Sequence, residues 1–292
     1  MRDALRGIIP PTVTPFDGSE DMDEEALARE VKLLFAAGSH GVSFGGSTGE
    51  GAVLSDAELA RGIEVVQGVN RDRKPVLCGI IRNSTREAVR AGREARRAGA
   101  DALMVTPTYY FGASEEGNYG YFRDIARGVG LPIVIYNVIR TNPILPPLMS
   151  RLSGIDLVIG IKQSVGGIHA LADMIVACGG QTLVFAAQDD LLYASYLLGA
   201  VGAISAILTA FPRLCVEQWE AVRRADLGTA RAIHERILPV WRAVEGGAFP
   251  GKLKAVLRLM GRDVGLARSP IQEPTEAEYT VLRDALHGAK LI

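Results

Sequence analysis

Short apolar segments recur along the chain, and their residues do not alternate with polar ones. Runs of this kind, rich in β-branched residues, predict strands that are covered on both faces, as in a parallel sheet. Eight such strands are predicted, at residues 7–13, 41–44, 75–80, 102–106, 133–136, 157–162, 183–187 and 202–206.

The segments between these runs have the spacing of helices. Residues 23–37 place Ala26, Leu27, Val31 and Leu34 on one stripe, which ends before Gly38. The sequences that begin at Ser55 and Ser84 read as capping boxes that start two further helices. Strands that alternate with helices predict an α/β fold, a (βα)8 TIM barrel. A doubly wound sheet is the alternative, but no GxGxxG motif follows the first strand.

The C-terminal part has a different pattern, which contains helices only. We expect the barrel, with the active site, to occupy residues 1–225 and to end after a helix that contains Trp219. Residues 226–292 are expected to form a C-terminal helical extension packed on the barrel. Its helices are predicted at 228–238, 252–260 and 275–287.

Composition restricts the class of protein. Of the 292 residues, 48% are hydrophobic and 22% are charged, so the chain can bury a large core. The net charge of −1, without a basic face, argues against nucleic acid and anionic membranes as partners. Residues 191–212 carry no charge, but glycines interrupt them, so we expect a buried helix, a turn and a strand rather than a membrane span.

The three cysteines, Cys78, Cys178 and Cys215, lie far apart and form no CxxC pair. This usage predicts reduced, buried thiols and a cytoplasmic protein.

In a barrel of this type, catalytic groups lie at the carboxyl ends of the strands. Lys162 follows the apolar run 157–161, so its side chain is expected inside the barrel mouth. An amine held away from water is more readily neutral, and a neutral amine attacks a ketone to form a Schiff base. Taken alone, Lys162 is more simply interpreted as a strand-end lysine that pairs with a carboxylate.

Two further features lie at neighbouring strand ends. Tyr136 ends the strand before that of Lys162, where a phenol can transfer protons, although a core tyrosine would look the same. The glycine-rich loop at 45–51 lets backbone N–H groups approach an anion, and Ser47 and Thr48 add hydroxyls. It lacks the lysine of a P-loop, and a plain turn is its simpler interpretation.

The histidines give no support for a metal site. No predicted strand end carries a histidine, and the four in the chain are scattered, at His40, His169, His234 and His287. We therefore expect a reaction that uses neither metal nor cofactor.

Four motifs together resemble those of one known protein family. They are GSTGE at 46–50, VTPTYY at 105–110, IYNV at 135–138 and GIKQ at 160–163, with a weaker match in PGKLK at 250–254. Along nearly its whole length the chain resembles the family of dihydrodipicolinate synthase and N-acetylneuraminate lyase.

The resemblance implies roles for several residues. It implies Lys162 as the Schiff-base lysine, Tyr136 as proton donor and acceptor, and Ser47 as the hydroxyl that links Tyr136 to Tyr109. It also implies that Tyr109 enters the site of a neighbouring subunit, in a homodimer that commonly pairs into a homotetramer. Substrate-binding residues are expected at the carboxylate clamp Thr48 and at Gly46, Arg140, Gln188 and Ser205.

The chain departs from the synthases in ways that bear on the second substrate. In YNVIR at 136–140 a proline is missing and Arg140 comes one residue early, and the loop after strand 4 is one residue longer. Gln188 occupies a position that is often glycine. The longer loop, and Ser47 in place of a threonine, are more similar to lyases that act on 2-keto-3-deoxy sugar acids.

The expected function is a cofactor-free class I lyase that condenses pyruvate, a 2-oxo acid, with an aldehyde, or runs the reverse type of reaction. An aldolase or dehydratase for 2-keto-3-deoxy sugar acids is one alternative. A regulator that binds a 2-oxo acid without catalysis is an alternative of another class.

Overall fold

The sheet closes on itself as a barrel of parallel strands. A computed structural model describes residues 4–292, so the first three residues of the predicted barrel lie outside the described part. Neighbouring strands follow the order β1-β8-β7-β6-β5-β4-β3-β2, and each neighbouring pair is parallel. The strands are β1 (Gly7–Ile8), β2 (Val42–Phe44), β3 (Val76–Ile80), β4 (Ala102–Val105), β5 (Ile133–Asn137), β6 (Val158–Gln163), β7 (Leu183–Ala186) and β8 (Gly202–Ala203).

The remaining seam, between β1 and β2, is joined by backbone contacts. A parallel bridge links Pro11 to Ser43, and the Thr12 N–H donates to the Ser43 carbonyl oxygen at 2.9 Å. The (βα)8 prediction is thus confirmed, and the doubly wound alternative is wrong. A barrel brings the ends of all strands to one mouth, which an open sheet cannot do.

Helices follow the strands around the outside. They are α1 (Glu24–Ala36), α2 (Asp56–Val69), α3 (Thr85–Arg97), α4 (Glu115–Val129), α5 (Pro146–Leu152), α6 (Gly167–Cys178), α7 (Leu192–Leu197), α8 (Ile207–Ala210), α9 (Pro212–Arg223), α10 (Leu227–Val244), α11 (Gly251–Leu259) and α12 (Glu276–Gly288). Ser55 forms the predicted capping box with Glu58. Ser84 caps α3, because its hydroxyl accepts from the Glu87 N–H. The predicted capping box is incomplete there, since the Glu87 carboxylate accepts from the Ser84 hydroxyl and not from its backbone N–H. These caps satisfy the first backbone donors of each helix.

The uncharged segment 191–212 folds into α7, β8 and α8. The helix, turn and strand were predicted, whereas the four-residue α8 was not. Among residues 4–292, no helix is both long and apolar enough to cross a membrane.

The C-terminal helices share their apolar core with the barrel. One cluster of buried side chains contains Ile8 and Ala203 from the strands together with Leu253 and Leu286 from α11 and α12. Helix α10 continues through Pro239 to Val244, past the predicted end at residue 238. The division into units 1–225 and 226–292 stays a prediction.

Candidate active site

Lys162 and Tyr136 lie side by side at the mouth of the barrel. They are paired in the register of β5 and β6. The Lys162 Nζ atom lies 3.7 Å from the centroid of the Tyr136 ring. Exposure is 4% for Lys162 and 5% for Tyr136, so the amine and the phenol are largely shielded from water. This arrangement places a nucleophile and a proton carrier within reach of one small molecule.

Ser47 brings the glycine-rich loop to the same point. Its Oγ atom lies 3.1 Å from the Tyr136 hydroxyl oxygen, within hydrogen-bonding distance. The loop fits against β3 only because side chains are absent: a Cβ on Gly51 would lie 1.7 Å from the Gly45 carbonyl oxygen, and a Cβ on Gly79 2.2 Å from it. Thr48, in the same loop, is buried. Glycine at these positions is therefore a steric requirement of the loop.

Tyr109 lies away from this pair in its own chain. Its exposed fraction is 41%, and the next two residues, Tyr110 and Phe111, are 76% and 78% exposed. The side chain borders a separate cavity of about 530 Å³ that also contains Arg82. Within residues 4–292, the Tyr109 hydroxyl forms no hydrogen bond with Ser47 or Tyr136. Its entry into a neighbouring subunit stays a prediction.

A cavity of about 540 Å³ lies between the loops that follow β5 and β6. Asn137 and Gln163, the chain neighbours of Tyr136 and Lys162, line it, whereas Tyr136 and Lys162 themselves do not. Such a volume suits a small molecule. Among the predicted substrate-binding residues, exposed Arg140 and half-buried Gln188 line it. Gly46, Thr48 and Ser205 are not among the residues that line it, in the part of the chain that the structure describes.

Asn137 holds one wall of this cavity. Its amide nitrogen donates to the Ile144 carbonyl at 2.9 Å, and its oxygen accepts from the Ile144 N–H at 2.8 Å. The same nitrogen lies 2.9 Å from Oε1 of Gln163. Both residues belong to recognised motifs, but no role was predicted for them, because neither type is reactive. Their fixed hydrogen bonds determine the shape of the loop that carries Arg140.

Asp189 is a buried carboxyl group that was not singled out from the sequence. It follows β7, and its Oδ1 atom accepts from the Ile207 N–H at 2.6 Å. Burial raises the pKa of Asp189 to about 7, while the Ile207 N–H, the Ser205 hydroxyl and the Lys162 charge act to lower it. Ser205, 2% exposed, therefore lies next to this carboxyl group. The feature of the sequence that could have identified Asp189 is a carboxylate directly after the end of a predicted strand.

A buried ion pair ties the glycine-rich loop to the C-terminal helices. The Lys254 Nζ atom lies 2.7 Å from Oε1 of Glu50, and the side chains are 0% and 1% exposed. The same Nζ donates to the Leu266 carbonyl at 2.7 Å, and the other Glu50 oxygen accepts from the Arg268 N–H at 2.9 Å. Burial lowers the pKa of Lys254, and the Glu50 charge opposes that effect. The weaker motif at 250–254 thus supports the loop that holds Ser47 and Thr48.

Removing one partner of this pair should be costly. Lys254→Met should lower the free energy of unfolding by about 3–5 kcal/mol, because Glu50 is left buried and unpaired. The double variant Lys254→Met, Glu50→Gln should recover much of that loss, as measured by chemical denaturation. Lys252→Met is the matched control, since Lys252 pairs at 3.0 Å with the more exposed Glu278, and it should cost at most about 1 kcal/mol. Equal losses in the single and double variants would contradict this account.

The described residues contain no group of three or more His, Cys, Asp or Glu side chains that could hold a metal ion. The three cysteines are buried and unpaired, as predicted.

The family model and the relatives that match this chain all indicate the same family. The family described as dihydrodipicolinate synthetase matches residues 4–289. The chain is 33% identical over 285 residues to the 4-hydroxy-tetrahydrodipicolinate synthase of Methanothrix thermoacetophila, covering 97% of this chain and 96% of the relative. It is 34% identical over 292 residues to the synthase of the same name from Methanopyrus kandleri, covering 99% and 97%.

Solved structures have the same fold over almost the full length. The crystal structure of dihydrodipicolinate synthase from Aquifex aeolicus superposes with a TM-score of 0.93 at 26% identity, covering 98% of this chain and 99% of that one. That of YagE, a prophage protein of the dihydrodipicolinic acid synthase family from Escherichia coli in complex with pyruvate, gives a TM-score of 0.94 at 30% identity, covering 99% of both chains.

Proposed function

Since this chain belongs to the dihydrodipicolinate synthetase family, we propose that it is a Schiff-base-forming lyase that condenses pyruvate with an aldehyde. The observation that carries the proposal is the shielded pair of Lys162 and Tyr136, with the Ser47 hydroxyl 3.1 Å from the phenol. The relatives are synthases by name, so the sugar-acid and non-catalytic alternatives are not favoured.

The reaction begins at the keto carbon of pyruvate. The neutral Lys162 amine attacks this carbon, and the keto oxygen takes up a proton to give a carbinolamine. The Tyr136 hydroxyl supplies the proton that lets this oxygen leave as water, and a Schiff base remains. We assign Ser47 to hold the phenol in place for this transfer, at the 3.1 Å separation described above.

Carbon–carbon bond formation follows from the electron sink of the Schiff base. Loss of a proton from the methyl carbon of pyruvate gives an enamine, which attacks the aldehyde carbon. The aldehyde oxygen takes up a proton as the new bond forms. Water then hydrolyses the Schiff base and frees Lys162, and the reverse sequence cleaves the same bond. Thr48 and the backbone at Gly46 hold the pyruvate carboxylate, because loop N–H groups and a hydroxyl suit an anion.

The second substrate is proposed from the names of the relatives and from the cavity. Dipicolinate-type products contain a ring nitrogen and four carbons beyond those of pyruvate, which corresponds to aspartate semialdehyde. Arg140 lines the cavity between the loops that follow the strands of Tyr136 and Lys162, and its exposed guanidinium is available for a carboxylate of this substrate. Gln188 lines the same cavity, and we assign it to bind the polar groups of this substrate.

We propose that the protein works as a homodimer, two of which pair as a homotetramer, with Tyr109 contributed to the neighbouring site. The exposed aromatic run of Tyr109, Tyr110 and Phe111 supports such an interface. The barrel, 1–225, is proposed to hold the site and 226–292 to support it. A cytoplasmic location is proposed from the free thiols.

The assay that tests this function supplies pyruvate and aspartate semialdehyde and measures the condensation product. Arg140→Ala should raise the KM for the aldehyde about 10- to 100-fold, because a charge-assisted contact is lost, and leave the trapping of pyruvate by borohydride unchanged. Arg151→Ala is the control, because Arg151 binds the exposed Glu116 outside the site. An unchanged KM in Arg140→Ala would point to an uncharged acceptor and refute the semialdehyde.

A further inference from the structure

A buried asparagine connects two loops at the mouth of the barrel. We call residues 106–114, which follow β4 and carry Tyr109, the tyrosine loop. Residues 138–145, which follow β5 and carry Arg140, are the arginine loop. Asn142 belongs to the arginine loop, yet its side chain is only 5% exposed, because it points toward the tyrosine loop.

The amide of Asn142 is held in one orientation. Its Nδ2 atom donates to the Thr108 carbonyl oxygen at 3.1 Å and lies 3.3 Å from the Thr108 hydroxyl oxygen. Its Oδ1 atom accepts from Nδ2 of Asn118, on α4, at 2.8 Å, and its Nδ2 atom also lies 3.4 Å from Oδ1 of Asn118. Asn118 is 3% exposed. A side chain that donates to Thr108 and accepts from Asn118 is needed here, and asparagine meets both demands.

Asn142 also determines how Arg140 is presented. Its backbone N–H donates to the Ile139 carbonyl at 3.1 Å, which closes a four-residue turn with Arg140 as the second residue. One residue therefore fixes the turn by its backbone and docks that turn on the tyrosine loop by its side chain.

The tyrosine loop is organised around the residue that Asn142 contacts. The Thr108 hydroxyl donates to the Phe111 carbonyl at 2.7 Å. On the other side, the backbone N–H of Tyr109 donates to Oδ1 of Asn83 at 2.9 Å. Tyr109 is thus anchored through Thr108 to Asn142 and through its own N–H to Asn83.

The two loops also lie close together. A Cβ on Gly112 would be in ordinary van der Waals contact with the Thr141 carbonyl oxygen, at 3.4 Å. We propose that Asn142 is a positioning residue, which holds Arg140 of its own site and Tyr109 of the neighbouring site in a fixed relation, so that acceptor binding in one site and proton transfer in the other are set together. The proposal rests on the function proposed above.

Asn142→Asp is the sharpest substitution, because it keeps the shape and removes the Nδ2 donor. Its carboxylate would face the Thr108 carbonyl and repel it. We expect the KM for aspartate semialdehyde to rise about 10-fold and kcat for condensation to fall, since small displacements of positioning groups cost this much. Borohydride should still trap one pyruvate per chain.

The matched control is Asn70→Asp. Asn70 is 9% exposed, and its amide binds the Lys74 backbone in both directions, at 2.7 and 2.9 Å. It precedes β3, at the opposite end of the barrel from the site. The same chemical change there should leave both kinetic constants unchanged.

A double-variant cycle separates positioning from general damage. In an Arg140→Ala background, Asn142→Asp should no longer raise the KM for the aldehyde, because the group it positions is gone. Asn118→Asp disturbs the contact between Asn142 and Thr108 from the other partner. Its carboxylate attracts the Asn142 Nδ2 atom away from Thr108, so it should give the same rise in KM. Additive effects on KM in the cycle, or a wild-type KM in Asn142→Asp, would overturn the proposal.

Failure of the proposed function would look different. In that case the wild-type protein itself would neither trap pyruvate on Lys162 nor condense it with the aldehyde. If the wild-type protein does both and Asn142→Asp equals it in KM and kcat, only the inference about Asn142 is wrong.

Discussion

Treatment with pyruvate and borohydride should attach one pyruvate-derived group to each chain, on Lys162. Borohydride reduces a Schiff base to a stable secondary amine, so the mass of the intact chain reports its formation. Lys162 is the expected site because its amine lies 3.7 Å from the Tyr136 ring centroid and is almost fully shielded from water.

Lys162→Ala should abolish both this label and condensation, with a loss in kcat of more than about 1,000-fold, because the covalent route is removed. Lys74→Ala is the control: Lys74 donates to the Ser39 carbonyl at 2.9 Å, and its loss should leave labelling intact. Peptide mapping identifies the labelled residue. Label on a different lysine, or undiminished label in Lys162→Ala, would end the Schiff-base assignment.

Two inactive variants should restore each other's activity when they are co-expressed. If Tyr109 serves the neighbouring site, Lys162→Ala and Tyr109→Phe homodimers should each be nearly inactive. A mixed dimer would contain one site with both defects and one intact site. Random pairing makes half of the dimers mixed, so activity should return to about a quarter of the wild-type value.

Lys162→Ala co-expressed with Tyr136→Phe provides the control for this experiment. Lys162 and Tyr136 are paired within one barrel, so every site in a mixed dimer carries one of the two defects. No activity should return in that mixture. Mass spectrometry establishes that mixed dimers are present in both mixtures. If they are present and the first pair also shows no recovery, Tyr109 does not act in the partner's site.

The pairing of Lys162 with Tyr136 was accessible from the sequence because both residues end apolar runs. Once the strands are parallel and consecutive, their ends share one mouth, so a lysine and a tyrosine there meet by topology. The glycine-rich loop was accessible for a related reason, since only glycine satisfies the close backbone approach found at Gly51 and Gly79.

Other parts of the site were beyond sequence reasoning. Asp189, Asn142 and the partners Glu50 and Lys254 matter through contacts between segments far apart in the chain, and their residue types alone predict only polarity. Ser205 lies next to the Asp189 carboxyl group, which the sequence did not indicate, and its role in substrate binding stays a prediction.

The sequence by itself determined the order of strands and helices and the presence of Lys162, Tyr136 and Ser47 at strand ends. This information is local, because hydrophobic period and glycine placement act over a few residues. Only the tertiary structure decided that Asn142 joins the loops of Arg140 and Tyr109, and that Lys254 supports Glu50 across 204 residues of chain (254 minus 50). The physical reason is that burial and hydrogen-bond geometry depend on which distant segments pack together, and local pattern does not encode those partners.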